Sequence, residues 1–156
     1  MLALEQASKM VDAALSRGAA LGCAPLTVAL LDPGGHLLVL KRQDGSAILR
    51  PQIAQAKAWG ALGMGVGSRA LAERVTVAPQ FFNALAALSG GRVVPVPGGV
   101  LVRDGIGAIV AAVGVSGDNP VNDEACAVFA IEHNGFTADS GAVIEPDPVR
   151  QKGERS

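Results

Sequence analysis

The sequence predicts an α+β fold, with an antiparallel sheet and helices packed against it. Three observations carry that expectation. Two short apolar runs, Leu26 to Leu31 and Leu37 to Leu40, are separated by Asp32-Pro33-Gly34-Gly35. A second pair of runs, Val100 to Val102 and Ala108 to Val115, is joined through Arg103-Asp104-Gly105. The helical segments are set apart from these strand pairs, and that separation favours α+β.

The elements follow in order. Residues 3 to 20 read as a helix, with Leu4, Ala7, Met10, Val11, Ala14 and Leu15 at helical spacing and Glu5, Lys9, Asp12 and Arg17 opposite. Gly18 and Gly22 offer places to stop. Between the first two strands, Pro33 lacks an N–H and the paired glycines permit positive φ, which makes an antiparallel turn. A helix starts near Leu49, with Pro51 in the first turn, where a missing N–H costs nothing. It carries Ile53, Ala54, Ala56, Lys57, Ala58, Trp59, Ala61 and Leu62 and frays at Gly63, Gly65 and Gly67. Ser68 caps a short helix through Arg74. Pro79 to Leu88 forms another helix, ended by Ser89-Gly90-Gly91. Pro95 and Pro97 make the next stretch an edge or a loop. After the second strand pair, Asn122 to His133 is helical, capped by Asn122 or Asp123. The reading is one domain over residues 1–136 and a polar tail over 137–156, either draped on a neighbouring subunit or disordered.

Composition narrows the function classes. With 13 basic and 14 acidic residues, no basic stripe, one Trp, four Phe and no Tyr, the chain lacks a nucleic-acid footprint. No apolar run approaches the roughly 18 residues of a membrane span. The first fifteen residues are interrupted by Glu5, Lys9 and Asp12, unlike a signal peptide. A cytoplasmic chain is expected. Cys23 and Cys126 share no close spacing, so neither a disulfide framework nor a zinc site is expected from them. The richness in Ala, Val and Leu exceeds what a small monomer can hide, so a homo-oligomer is expected.

Three blocks carry a family likeness: "VALLDPGGHLLVLKRQDGS", "IAQAKAWGA" and "GGVLVRDGIGAIVAAVGVSGDNPVNDEACA". Their order and distances resemble the GlcG/HbpS family, which includes glycolate-operon GlcG proteins, haem-binding HbpS proteins and the C-terminal domain of PduO-type proteins. The likeness covers roughly residues 3 to 135. It implies an antiparallel five-stranded sheet flanked by helices, and a symmetric oligomer. It fixes no activity, since some relatives bind haem or corrinoid-related ligands and others sit in catabolic operons without assigned chemistry.

Candidate site residues follow. Gly98 and Gly99 precede the strand at Val100, and Gly114, Ser116 and Gly117 end the next. Glycine lets a ligand approach the backbone and leaves N–H groups free for anions. The resemblance implies pocket walls here, while the plainer reading is that the glycines shape turns. Lys57 lies on an inward stripe with Ile53, Ala54, Gly60 and Ala61, and either snorkels to solvent or enters a polar cavity. The likeness favours the cavity, where Lys57 pairs with a ligand carboxylate or acts as an acid or base. Arg42 and Asp44 end the second strand, either as a surface ion pair or with Arg42 gripping a carboxylate in bidentate fashion. Asp123 caps the last helix, whose N–H groups add to an anion site. Cys126 reads as a small buried hydrophobe.

His36 matches a frequent histidine of the family's "GGH" segment. Haem iron takes an axial His, Met, Cys or Tyr. The first helix offers no histidine, so a haem mode that needs one there is unavailable. His36 reads as structural or as a pocket-rim residue, and His133 as a helix C-terminal cation. No HxH or HxxE cluster supplies a metal site. There is no P-loop, dinucleotide fingerprint or nucleophile elbow, and "GMGVG" follows a helix, not a strand.

The leading expectation is therefore a small-molecule pocket protein for an anionic ligand, a carboxylate or aromatic acid. Lys57 would serve a cofactor-independent lyase, hydratase or isomerase step, with Arg42 and Asp44 nearby. A haem or tetrapyrrole binder using His36 is the second expectation, and a structural accessory subunit the third.

Overall fold

The structure is a computed structural model that describes residues 1–143. The elements are α1 (Leu4–Ala20), β1 (Thr27–Leu31), β2 (Leu37–Arg42), α2 (Arg50–Met64), α3 (Ser68–Val77), α4 (Pro79–Leu88), β3 (Gly99–Arg103), β4 (Ile109–Ser116), α5 (Pro120–His133) and β5 (Thr137–Asp139). The strands form one five-stranded sheet in the order β2-β1-β4-β3-β5, antiparallel at each junction. This is the α+β architecture expected from the sequence and its family likeness.

Strand alternation splits the core into two layers. Val28 and Leu30 of β1, Val100 and Val102 of β3, and Val113 and Val115 of β4 meet α1 and α5. Helix α1 supplies Ala7, Met10, Val11 and Ala14, one apolar stripe at helical spacing. On the other face, Leu31, Leu101 and Ala112 meet Ala58 and Ala61 of α2.

Two glycines fix how closely α2 approaches. A Cβ on Gly114 would collide with the carbonyl oxygen of Ala54, and one on Gly99 with that of Lys57. The helix backbone lies directly on the strands, with no side chain between. The room that these glycines leave is taken by α2, not by a cavity. Val100, also expected at a ligand, faces the α1–α5 layer and is fully buried.

Three boundaries differ from expectation. Helix α5 starts at Pro120, because Asn119 is the cap and accepts the Asn122 N–H at 2.8 Å. Asp123 is therefore free to turn inward instead of capping. Helix α3 continues past Arg74 to Val77. Residues 137–139, read as the start of the tail, form the edge strand β5 against β3. Arg103 clamps it, donating from Nε and Nη2 to Asp139 Oδ2 at 3.0 and 2.8 Å. The rest of the expected tail, 144–156, lies outside the described residues.

Candidate functional site

Helix α2 carries most of the chemistry. Its Lys57 side chain points into the sheet, only 3% exposed. The ammonium donates to Val115 O at 2.9 Å and to Asp123 Oδ2 at 3.1 Å. The other carboxylate oxygen of Asp123 accepts the Asp118 N–H at 2.9 Å. Burial pushes the Asp123 carboxyl up from its ordinary value, and it pushes the Lys57 amine down, with the Asp123 charge pulling the amine back. Both shifts lean toward the uncharged forms, the pattern of groups held out of water. Gly98 leaves the room for this amine, since a Cβ there would sit 3.0 Å from Lys57 Nζ.

Asp118 ties down the loop before α5. It accepts Ala24 N–H at 3.1 Å and the Asn122 amide at 2.7 Å, and these bonds hold its carboxyl below the usual range. Nearby, Cys23 packs against the core cluster that contains Cys126, although the two are distant in sequence, and both are free.

The N-terminus of α2 brings a residue that sequence reasoning missed. Arg50 donates to Ser116 Oγ at 3.1 Å. Ser116 pairs across the sheet with Thr27, and Thr27 with Arg42. Thr27 Oγ1 meets Ser46 Oγ at 2.8 Å, and Arg42 donates to Ser46 O at 3.1 Å. The only advance signal was an arginine beside Pro51 at a helix start. Asp44 is not among the charges acting on Lys57; it borders a separate surface hollow with Ala19, Cys23, Pro25 and Gln43.

A cleft of about 360 Å³ opens beside the β1–β2 turn, lined by Leu31, Gly35, Gln52, Gln55, Trp59 and Arg92 among others. The Arg92 guanidinium lies 4.2 Å over the Trp59 ring. His36 stands next to Gly35, with its side chain 81% exposed. Its Nδ1 lies 3.2 Å from Asp32 Oδ1, and that same oxygen accepts the N–H groups of Gly34 and His36 at 2.9 Å. Among the described residues, no three His, Cys, Asp or Glu side chains gather to hold a metal ion.

The family model described as "Haem degrading protein HbpS-like" matches residues 2–132. The chain belongs to the HbpS-like family. Solved structures agree with this HbpS-like fold. The haem complex of PduOC is 25% identical with a TM-score of 0.78, and the match covers 86% of this chain and 96% of that one. A doubly substituted HbpS from Streptomyces reticuli is 30% identical with a TM-score of 0.74, covering 86% and 87%. The Klebsiella pneumoniae protein ORFY, at 24% identity and a TM-score of 0.74 over 85% and 90%, shares the fold. No curated protein matches the chain.

In this HbpS-like chain the expected site residues divide into separate places. Lys57, Asp123, Gly98 and Ser116 come together at the β4–α5 end of the sheet. Gly117 lies against the backbone of Pro25 and Leu26. Arg42 joins the Ser46–Thr27–Ser116 row, and Asp44 faces elsewhere. His36 is at the far end of β1, directly after Gly35, which lines the Trp59 cleft. His133 stacks on Phe129, whose ring also receives Arg17.

Proposed function

We propose that this HbpS-like chain binds haem, or a related planar tetrapyrrole, at the Trp59 cleft, with His36 as the iron ligand. The observation that carries it is the Asp32–His36 pair, a carboxylate bonded to an exposed imidazole one residue from Gly35, which lines the Trp59 cleft. Metal-bound histidines are ordinarily held this way, with the second ring nitrogen bonded to a carboxylate that fixes tautomer and ring angle. The cleft fits the other parts of such a ligand. Trp59 and Leu31 offer apolar faces, and Arg92, Gln52 and Gln55 offer donors to propionate carboxylates. Membership of a family described as haem-degrading, and similarity to PduOC, whose structure is a haem complex, support the same reading. When bound, haem supplies iron-centred ligand and redox chemistry. His36 would hold the iron, Asp32 would orient the imidazole, and Arg92 would meet the propionate charge.

The chain contains a single tryptophan, so Trp59 is a built-in probe of the cleft. Haemin titrated into the purified chain should produce a Soret band and quench Trp59 fluorescence together. His36→Ala should weaken binding at least about tenfold, the range that ligand-shell losses cause. An unchanged spectrum and affinity in His36→Ala would refute the assignment.

A second reading is carried by the buried Lys57–Asp123 pair. Two enclosed titratable groups in hydrogen-bond contact, each pushed by burial toward its uncharged form, support a candidate acid–base pair. In this reading the chain binds a small anionic molecule, and Lys57 is the acid or base of a lyase, hydratase or isomerase step. Loss of small-carboxylate turnover in Lys57→Met, with the fold intact, tests it. Self-association, expected from composition, is part of either proposal and is read by light scattering.

A further inference from the structure

The end of β1 away from His36 carries a second arrangement. Strand register sets Arg42, Thr27 and Ser116 side by side on β2, β1 and β4, on the face that α2 covers. Thr27 and Ser116 are fully buried and Ser46 is 5% exposed, so this hydroxyl row is a fixed floor. Each end of the row carries a guanidinium. Arg42 is tethered through Ser46 O and Arg50 through Ser116 Oγ, both at 3.1 Å.

These two arginines differ from Arg69 and Arg103, and, unlike Arg17 and Arg92, they lie over no aromatic ring among the described residues. Arg69 is answered by Glu124 in bidentate fashion, and Arg103 by Asp139. Among the described residues, neither Arg42 nor Arg50 has a carboxylate within 4.0 Å. The nearest enclosed carboxylate, Asp123, is already matched by Lys57. Helix α2 begins at Arg50 and its cap residue, Leu49, provides no side-chain acceptor, so the positive end of the helix adds to the same field. Each tether uses one Nη1 donor of a fork that carries five, which leaves donors for a planar oxyanion. Ile48 and Leu49, immediately before Arg50, are 82% and 63% exposed. An apolar surface beside the Arg50 guanidinium suits a carboxylate on a hydrocarbon body better than bare phosphate.

We propose that Arg42 and Arg50, braced by the Ser46–Thr27–Ser116 row, bind the carboxylate of a small apolar or aromatic acid. The site deepens the second reading above and rests on it only for turnover. Binding does not require Lys57 to titrate. It differs from the haem cleft in its residues: neither Arg42 nor Arg50 lines that cleft, whose nearest wall residue on α2 is Gln52.

The test is an NMR titration of the full-length chain with benzoate, and in parallel with inorganic phosphate, at matched ionic strength. The guanidinium Nε–H signals of Arg42 and Arg50 are followed. Saturable shifts of both with benzoate are expected, weakened at least about tenfold in Arg50→Gln and in Arg42→Gln. Lys41→Gln, which removes the cation paired with Asp12, should leave the affinity unchanged. Shifts that never saturate, or equal affinity in the arginine variants, would overturn the site. Saturation by phosphate but not benzoate would overturn the assigned class. The wild-type response stands as evidence even if a variant fails to fold. Haem binding is read separately by the Soret band, and turnover by Lys57→Met, so these readings can fail independently.

Discussion

The ammonium of Lys57 lies 3.1 Å from Asp123 Oδ2, and the two side chains are 3% and 1% exposed. A charge pair sealed this way is worth little relative to an apolar pair of similar volume, but removing one member strands the other. Lys57→Met should therefore destabilise the fold by about 3–5 kcal/mol in urea denaturation. Adding Asp123→Asn should recover much of that loss. Equal stability of the single and double variants would show that the carboxylate is not stranded.

The turn that presents His36 should be acid-sensitive. The carboxyl of Asp32 is held below its ordinary value of 3.8, chiefly by the His36 backbone N–H. A depressed carboxyl adds stability above its unfolded value, and that stability is lost as pH falls through the folded value. Wild type should lose more stability than Asp32→Asn between about pH 4 and about pH 2. Parallel pH profiles of the two proteins would remove Asp32 from the account.

Gly114 should tolerate no side chain. Alanine there drives a methyl group into the Ala54 carbonyl, and helix backbone cannot rotate away as a side chain can. Overpacking against a rigid neighbour costs about 1–3 kcal/mol, and Gly114→Ala should lie at the upper end. A thermal melt within a degree or two of wild type would mean that α2 shifts freely on the sheet.

Cys126 should be chemically silent in the native state. Burial, helped by its neighbour Cys23, pushes its thiol up to about 12. At pH 8 only about one molecule in ten thousand carries the reactive thiolate. Alkylation of Cys126 should thus track unfolding, and fast labelling in native buffer would contradict this environment.

What could be read from the sequence follows from the range of the interaction. The β1–β2 turn was legible because Pro33, Gly34 and Gly35 act within a few residues. Lys57 facing inward was legible from its neighbours one turn away. Its partner was not, because Asp123 lies 66 positions along the chain and only the packed fold joins them. Asp123 looked like a cap because it stands near a helix start, but Asn119 and Pro120 satisfied that role earlier. Strand β5 was overlooked because its alternation, Phe136-Thr137-Ala138-Asp139, lasts only four residues, and it is held by β3 and Arg103. Gly99 and Gly114 were seen as special for a sound reason, close approach, but what approaches is α2. Arg50 acquires meaning only when Ser116 arrives beside it.

The direct seating of α2 on two glycines makes the helix a lever with little cushion. Arg50 at its start, in the proposed carboxylate site, and Trp59 nine residues later, in the cleft, ride on one rod about 13 Å apart along its axis. Beneath the middle of that rod lie only the short side chains of Ala58 and Ala61, the buried Lys57 and the two points of backbone contact, a thin cushion against a tilt. A ligand that nudges one end must carry the other with it, and by thermodynamic reciprocity each occupant would alter the affinity of the other by the same factor.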